Sequence, residues 1–169
     1  HDKAVLVRAD YNVPLSDEGA IDDDLRIRAS LPTLRYLLER NCKVIVMSHL
    51  GRPEGRDPKL SLQPIAQRLG ELLDQDVRFI NDCKGDRVAQ SVKRTPQGSI
   101  LLLENLRYYK EEEADDHAFA SAIATATGAR YLVQDGFGVV HRAHDSTHAI
   151  TLCIPSIAGL LVEREYTTI

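Results

Sequence analysis

Lys43-Val44-Ile45-Val46-Met47-Ser48-His49-Leu50-Gly51-Arg52-Pro53 joins two kinds of sequence without a linker. Val44 to Met47 is an unbroken apolar run rich in β-branched residues, and it stops abruptly at a polar turn containing glycine and proline. A run of that length reads as a strand. Because it is continuous rather than alternating, it has the pattern of a strand covered on both faces, as in a parallel sheet flanked by helices.

The same unit recurs along the chain. Further strands are expected at Ala4 to Val7, Val77 to Ile80, Ile100 to Leu103 and Tyr131 to Val133, with a less clear one over Ala149 to Ile154. Leu31, Leu34, Leu37 and Leu38 fall at helical spacing ahead of Asn41, a candidate left-handed cap. Leu62, Ile65, Ala66, Leu69, Leu72 and Leu73 repeat that pattern. A weaker helix is expected over Asp86 to Lys93, another over Ala114 to Thr127 ending at Gly128, and a last one after Pro155. Strands alternating with helices imply right-handed crossovers and one α/β domain, a doubly wound, three-layer parallel sheet of Rossmann-like form.

The chain has 169 residues, 43% hydrophobic and 27% charged, enough for one domain with a proper core. A net charge of −4 speaks against nucleic acid or an anionic membrane as partner, so any anion site has to be local. No run approaches the length of a membrane span, and the start lacks the features of a signal peptide. Cys42, Cys83 and Cys153 show no paired spacing and fit a reducing cytosol. The acidic run Glu111 to Asp116 reads as a solvated loop and helix start.

Four polar motifs stand at strand carboxyl ends: Asp10-Tyr11-Asn12, Ser48 to Pro53, Glu104-Asn105-Leu106-Arg107 and Asp135-Gly136-Phe137-Gly138. In a parallel sheet these ends share one edge, outside which open α/β sheets bind their ligands. Arg52, Arg107, His49 and Arg142 then converge, and Arg26 can join from the first long helix. Guanidinium forks match phosphate and carboxylate oxygens, so a small, multiply charged anion such as a phosphorylated acid is the ligand expected there. Asp10 and Asn12 are placed to read hydroxyls. Singly, each residue has a plainer reading: Asp10 and Asn12 bond local backbone, Arg52 is an exposed turn residue, and Arg107 pairs with the acidic run. His141, His144 and His148 lack the companions of a metal site. No G-x-x-x-x-G-K-[ST] or G-x-G-x-x-G motif marks a nucleotide cradle.

Val7-Arg8-Ala9-Asp10-Tyr11-Asn12-Val13-Pro14, Met47-Ser48-His49-Leu50-Gly51-Arg52-Pro53, Leu102-Leu103-Glu104-Asn105-Leu106-Arg107 and His141-Arg142-Ala143-His144 together resemble, in order, the motifs of phosphoglycerate kinases. The resemblance implies the N-terminal half of a two-domain enzyme that moves a phosphoryl group between 1,3-bisphosphoglycerate and ADP, or ATP and 3-phosphoglycerate in reverse. It implies that Asp10-Tyr11-Asn12 meets the substrate, with Asp10 and Asn12 at its glycerate end. His49, Arg52, Arg107 and Arg142 would hold the phosphate, and the backbone at Leu50 and Gly51 would line the passage. Arg26 matches the arginine that steadies the transferring group, the one catalytic role carried over. Residues 155–169 resemble the connecting helix toward a second domain of the same polypeptide. That domain would bind Mg-ATP or Mg-ADP, with none on this chain, which alone is expected to be inactive. The expected location is the cytoplasm.

The pattern departs from the family at Tyr11, Gln134, Gly136, Val139, Val140 and Asp145. Asp145 places a carboxylate three residues after Arg142, where it would compete with substrate phosphate. A stand-alone domain that binds a phosphorylated acid without catalysis is the alternative. A receiver-like signalling module finds only Asp82 as a poor match for its phosphoacceptor.

Overall fold

The computed structural model describes residues 3–136, 144 and 147–168. Strands β1 (Ala4–Arg8), β2 (Lys43–Met47), β3 (Val77–Ile80), β4 (Ile100–Leu103), β5 (Tyr131–Gln134) and β6 (Ser156–Ala158) form one sheet in the order β3-β4-β2-β1-β5-β6. Every pairing is parallel. Helices α1 (Leu25–Glu39), α2 (Gln63–Leu73), α3 (Asp86–Arg94), α4 (His117–Thr127) and α5 (Leu160–Thr168) complete the chain.

The continuous apolar strands divide by parity. Val5, Val7, Val44, Val46, Ile100, Leu102 and Val133 face one core, which Ile27, Leu31 and Leu34 of α1 and Ile65, Ala66 and Leu69 of α2 close. Leu6, Ile45, Met47, Leu101, Leu103 and Leu132 face the other, closed by Val88 and Val92 of α3 and Phe119, Ala120 and Ile123 of α4. Helix α5 packs beside α1. Each large side chain so buried contributes about 1.5–3 kcal/mol, which is why these runs tolerate no interior charge except one with partners.

Travel along the sheet and choice of face reverse together, as a constant crossover hand requires. Strands β1 and β2 hand the chain to α1 and α2 on the first face, whereas β3 and β4 hand it to α3 and α4 on the second. Since β4 and β2 are neighbours, their carboxyl ends send the chain to opposite sides and leave a crevice between.

The strands and α1 to α3 lie where the apolar periodicity places them, and Asn41 takes the expected left-handed conformation with φ 60°. Three boundaries differ. Ala149–Leu152 is a 3₁₀ turn, not a strand: Ile150 and Ile154, one helical turn apart, are buried while Leu152 between them is 65% exposed. The sixth strand is Ser156–Ala158, so the last helix begins at Leu160 rather than directly after Pro155. Helix α4 starts at His117 rather than Ala114, because Asp115 sits at φ 54° and Asp116 caps the helix by accepting from the Ala118 and Phe119 amides.

Candidate functional site

After β1 the chain is tied down within a few residues. The Tyr11 amide donates to Ser48 Oγ at 2.9 Å, and the Asn12 amide donates to Asp10 Oδ1 at 3.2 Å. The Asn12 side-chain oxygen accepts the Gly51 amide at 2.9 Å, which joins the loops after β1 and β2. Arg26, at the start of α1, reaches over this pair: its Nη1 donates to Asp10 Oδ1 at 3.2 Å and to the Asn12 carbonyl at 3.0 Å. Asp10, Asn12, Arg26 and Gly51 therefore form one connected corner. Tyr11 points elsewhere. Its ring is fully buried in the first core, and its hydroxyl is 2.7 Å from Ser30 Oγ, so only its backbone borders the crevice. Burial pushes that phenol above its ordinary range.

The loop after β2 is held from the neighbouring strand β4. Asn105 Oδ1 accepts the Leu50 and Arg107 amides, both at 3.1 Å, and its Nδ2 donates to the Leu50 and Leu60 carbonyls at 2.7 and 2.9 Å. Beside it Glu104, also buried, accepts from Ser61 Oγ at 2.7 Å and from the Leu62 amide at 2.9 Å, where its charge favours the start of α2. Gly51 adopts φ 63°, and a Cβ there would meet the Leu60 methyls at 3.0 Å, so a side chain would be both strained and crowded.

Arg107 follows Asn105 and is nearly buried. Its Nη1 donates to the Gly51 carbonyl at 3.0 Å, and its Nε lies 3.3 Å from the Glu113 carboxylate. It forms one wall of a cleft of about 510 Å³ shared with Pro53, Gly55, Tyr109 and Lys110. Arg52 is exposed, with no hydrogen bond or ion pair among the described residues. His49 is buried to 2% exposure. Arg142 lies outside the described residues.

The crevice thus gathers Asp10, Asn12, Arg26, His49, Leu50, Gly51 and Arg107 through direct bonds or adjacent loops, leaves Arg52 exposed in the loop after β2, and turns the Tyr11 ring away. One polar residue at this edge was not singled out from the sequence. Arg8, the last residue of β1, is fully buried with Nη2 2.8 Å from His49 Nδ1. Burial lowers its pKa, opposed by the charges of Glu112 and Asp10. Parity was the available signal, since Arg8 shares a strand face with the buried Leu6. The acidic run also differs from a solvated loop. Glu112 is buried, Glu113 pairs with Arg107, and Asp115 accepts from the Ala149 amide at 2.8 Å and lies 2.5 Å from His148 Nδ1.

A six-stranded parallel sheet wound on both faces, with polar loops gathered at its carboxyl edge, places the chain among Rossmann-like α/β domains. The family model for phosphoglycerate kinase matches residues 1–169. The phosphoglycerate kinase of Dictyoglomus turgidum is 50% identical over 163 residues, covering 96% of this chain and 40% of that protein. The cytosolic enzyme of Triticum aestivum is 52% identical over 164 residues, again 96% of this chain and 40% of the relative. The crystal structure of phosphoglycerate kinase from Pyrococcus horikoshii OT3 superposes with a TM-score of 0.90 at 34% identity, over 99% of this chain and 42% of that one. The chain belongs to the phosphoglycerate kinase family, and it spans about two fifths of the length of these relatives.

Proposed function

We propose that this chain is the domain of a phosphoglycerate kinase that holds 3-phosphoglycerate or 1,3-bisphosphoglycerate, facing a second domain of the same polypeptide that carries the nucleotide. The observation that supports this most is the joining of the loops after β1, β2 and β4 into one corner, with Arg26, Arg107 and the exposed Arg52 around it. His49, Arg52, Arg107 and Arg142 are assigned to the phosphate. Asp10 and Asn12 are assigned to the glycerate end, and Arg26 to the group in transfer. In the described geometry the exposed Arg26 is paired with Asp10, whose side chain is 13% exposed, so substrate has to exchange this ion pair for contacts to its own oxygens.

Phosphoryl transfer of this kind proceeds by positioning and by neutralising charge on the equatorial oxygens. These arginines supply half of that arrangement. Mg-nucleotide, when bound, supplies the other reactant and its counter-charge. Among the described residues no cluster of three or more His, Cys, Asp or Glu side chains could hold a metal ion, and no step is assigned to a metal on this chain. No described helix is long and apolar enough to cross a membrane. Relatives include cytosolic and chloroplastic forms, and we assign this one to the cytoplasm, which its three free cysteines fit. Titration calorimetry of the purified chain with 3-phosphoglycerate tests the reading: saturable binding that weakens with added salt is expected, and no heat at millimolar ligand overturns it.

A further inference from the structure

Arg8 ends a strand buried on both faces, and its side chain is 0% exposed. A charge so placed is costly unless its donors find acceptors. Nη1 donates to the Ala9 carbonyl, and Nη2 lies 2.8 Å from Nδ1 of His49. A guanidinium has donors and no acceptor, and it stays protonated in proteins. The contact therefore has one polarity: Nδ1 accepts. A neutral imidazole whose Nδ1 lone pair is engaged carries its proton on Nε2. The other tautomer sets N–H against N–H, and a ring turned over presents a carbon to the buried donor.

Two features keep Arg8 in place. The parallel register pairs Arg8 with Met47, directly before the Ser48-His49 turn, so the sheet itself carries the guanidinium to the imidazole. Ser48 Oγ bonds both the Tyr11 amide, at 2.9 Å, and the His49 carbonyl, at 3.1 Å, and so ties the turn to the segment after β1. The buried carboxylate of Glu112 and the charges of Asp10 and Arg107 act on Arg8 from the surrounding loops.

We propose that Arg8 is a positioning residue for His49, locking the imidazole in its Nε2–H form so that the ring's other nitrogen is a hydrogen-bond donor and not a proton acceptor. Resting on the function proposed above, the group opposite Nε2 is an anionic oxygen of the phosphorylated acid. His49 then recognises charge and takes no part in proton transfer.

The test is a long-range proton–nitrogen correlation spectrum of the ¹⁵N-labelled chain at neutral pH, with the His49 signals assigned by their loss in His49→Gln. The expected result is an unprotonated Nδ1, scalar-coupled across the hydrogen bond to an Arg8 Nη, and a protonated Nε2. A proton on Nδ1, or no coupling to Arg8, overturns the proposal. In the full-length enzyme Arg8→Met is expected to raise KM for 3-phosphoglycerate about tenfold with kcat changed less than about twofold, and Arg8→Lys to recover most of the loss. Equal effects of Met and Lys overturn the positioning role, and if Arg8→Met does not fold, the spectrum of the unaltered chain decides. Absence of 3-phosphoglycerate binding with the coupling present refutes the substrate reading alone.

Discussion

Replacing Asp135 by Asn should stabilise this chain at alkaline pH and leave it unchanged in acid. Asp135 follows β5 and is 0% exposed, with its amide bonded to the Arg8 carbonyl at 2.8 Å. Its Oδ1 accepts the Leu161 amide at 2.9 Å at the start of α5, and Oδ2 has no hydrogen-bond partner among the described residues. The packing is close enough that a Cβ at Gly159 would collide with the carboxylate. Burial raises the carboxyl from 3.8 to about 6, against the smaller opposing pull of the nearby Thr33 hydroxyl, the Leu161 and Val162 amides and Arg164. The native state thus binds this proton more tightly than the unfolded chain does. Stability from this group is complete below about pH 4 and is lost as pH rises through about 6. A shift of about two pH units corresponds to about 3 kcal/mol, an upper figure because water reaching the site would reduce it. Asn keeps an oxygen for the Leu161 amide and cannot ionise. The difference between variant and parent, from urea unfolding at pH 4 and pH 8, is expected near zero in acid and up to about 3 kcal/mol in the variant's favour in base, or roughly 5–10 °C in Tm. Titrations elsewhere in the chain are common to both proteins and cancel. A variant less stable by the same amount at both pH values would refute the reasoning, since the carboxylate would then act as an acceptor of fixed worth.

Arg52→Ala and Arg142→Ala are each expected to weaken 3-phosphoglycerate binding by about 1.5–3 kcal/mol in calorimetric titration, the loss of a charge-assisted hydrogen bond; unchanged affinity in both would overturn the phosphate assignment. Asn105→Ala removes three hydrogen bonds that join the end of β4 to the loop after β2 and a fourth, from the Arg107 amide, within its own turn, and should cost about 3 kcal/mol in chemical unfolding, with a loss below about 1 kcal/mol meaning that the loop is held by other contacts. The chain alone should turn over 1,3-bisphosphoglycerate and ADP far more slowly than the full-length enzyme even with saturating Mg²⁺, because orientation of both reactants contributes about 7–11 kcal/mol and this chain orients one; a coupled assay within tenfold of the full-length rate would disprove it.

The sheet and the edge that carries the site were readable because they depend on local pattern. A continuous apolar run needs cover on both faces wherever it occurs, and a polar motif that follows it must stand at the strand's carboxyl end. Ala149 to Ile154 misled because a short apolar run is ambiguous in period, and burial of Ile150 and Ile154 around an exposed Leu152 made it a turn of helix. The charged residues were harder for a different reason. Glu104, Glu112 and Arg8 belong to types that are exposed by default, and each is buried here against partners far away in sequence. Glu104 meets Ser61 and Leu62, and Arg8 meets His49, across separations of 43, 42 and 41 residues. Composition and periodicity carry no term for such pairings. Strand order does: once β1 is known to lie beside β2 in parallel, the partnering of Arg8 with Met47 leaves His49 as the first ring the guanidinium can reach. The polarity of that contact then follows from the chemistry of arginine alone, so a property of the site as fine as which nitrogen of His49 bears the proton is set by the register of two strands.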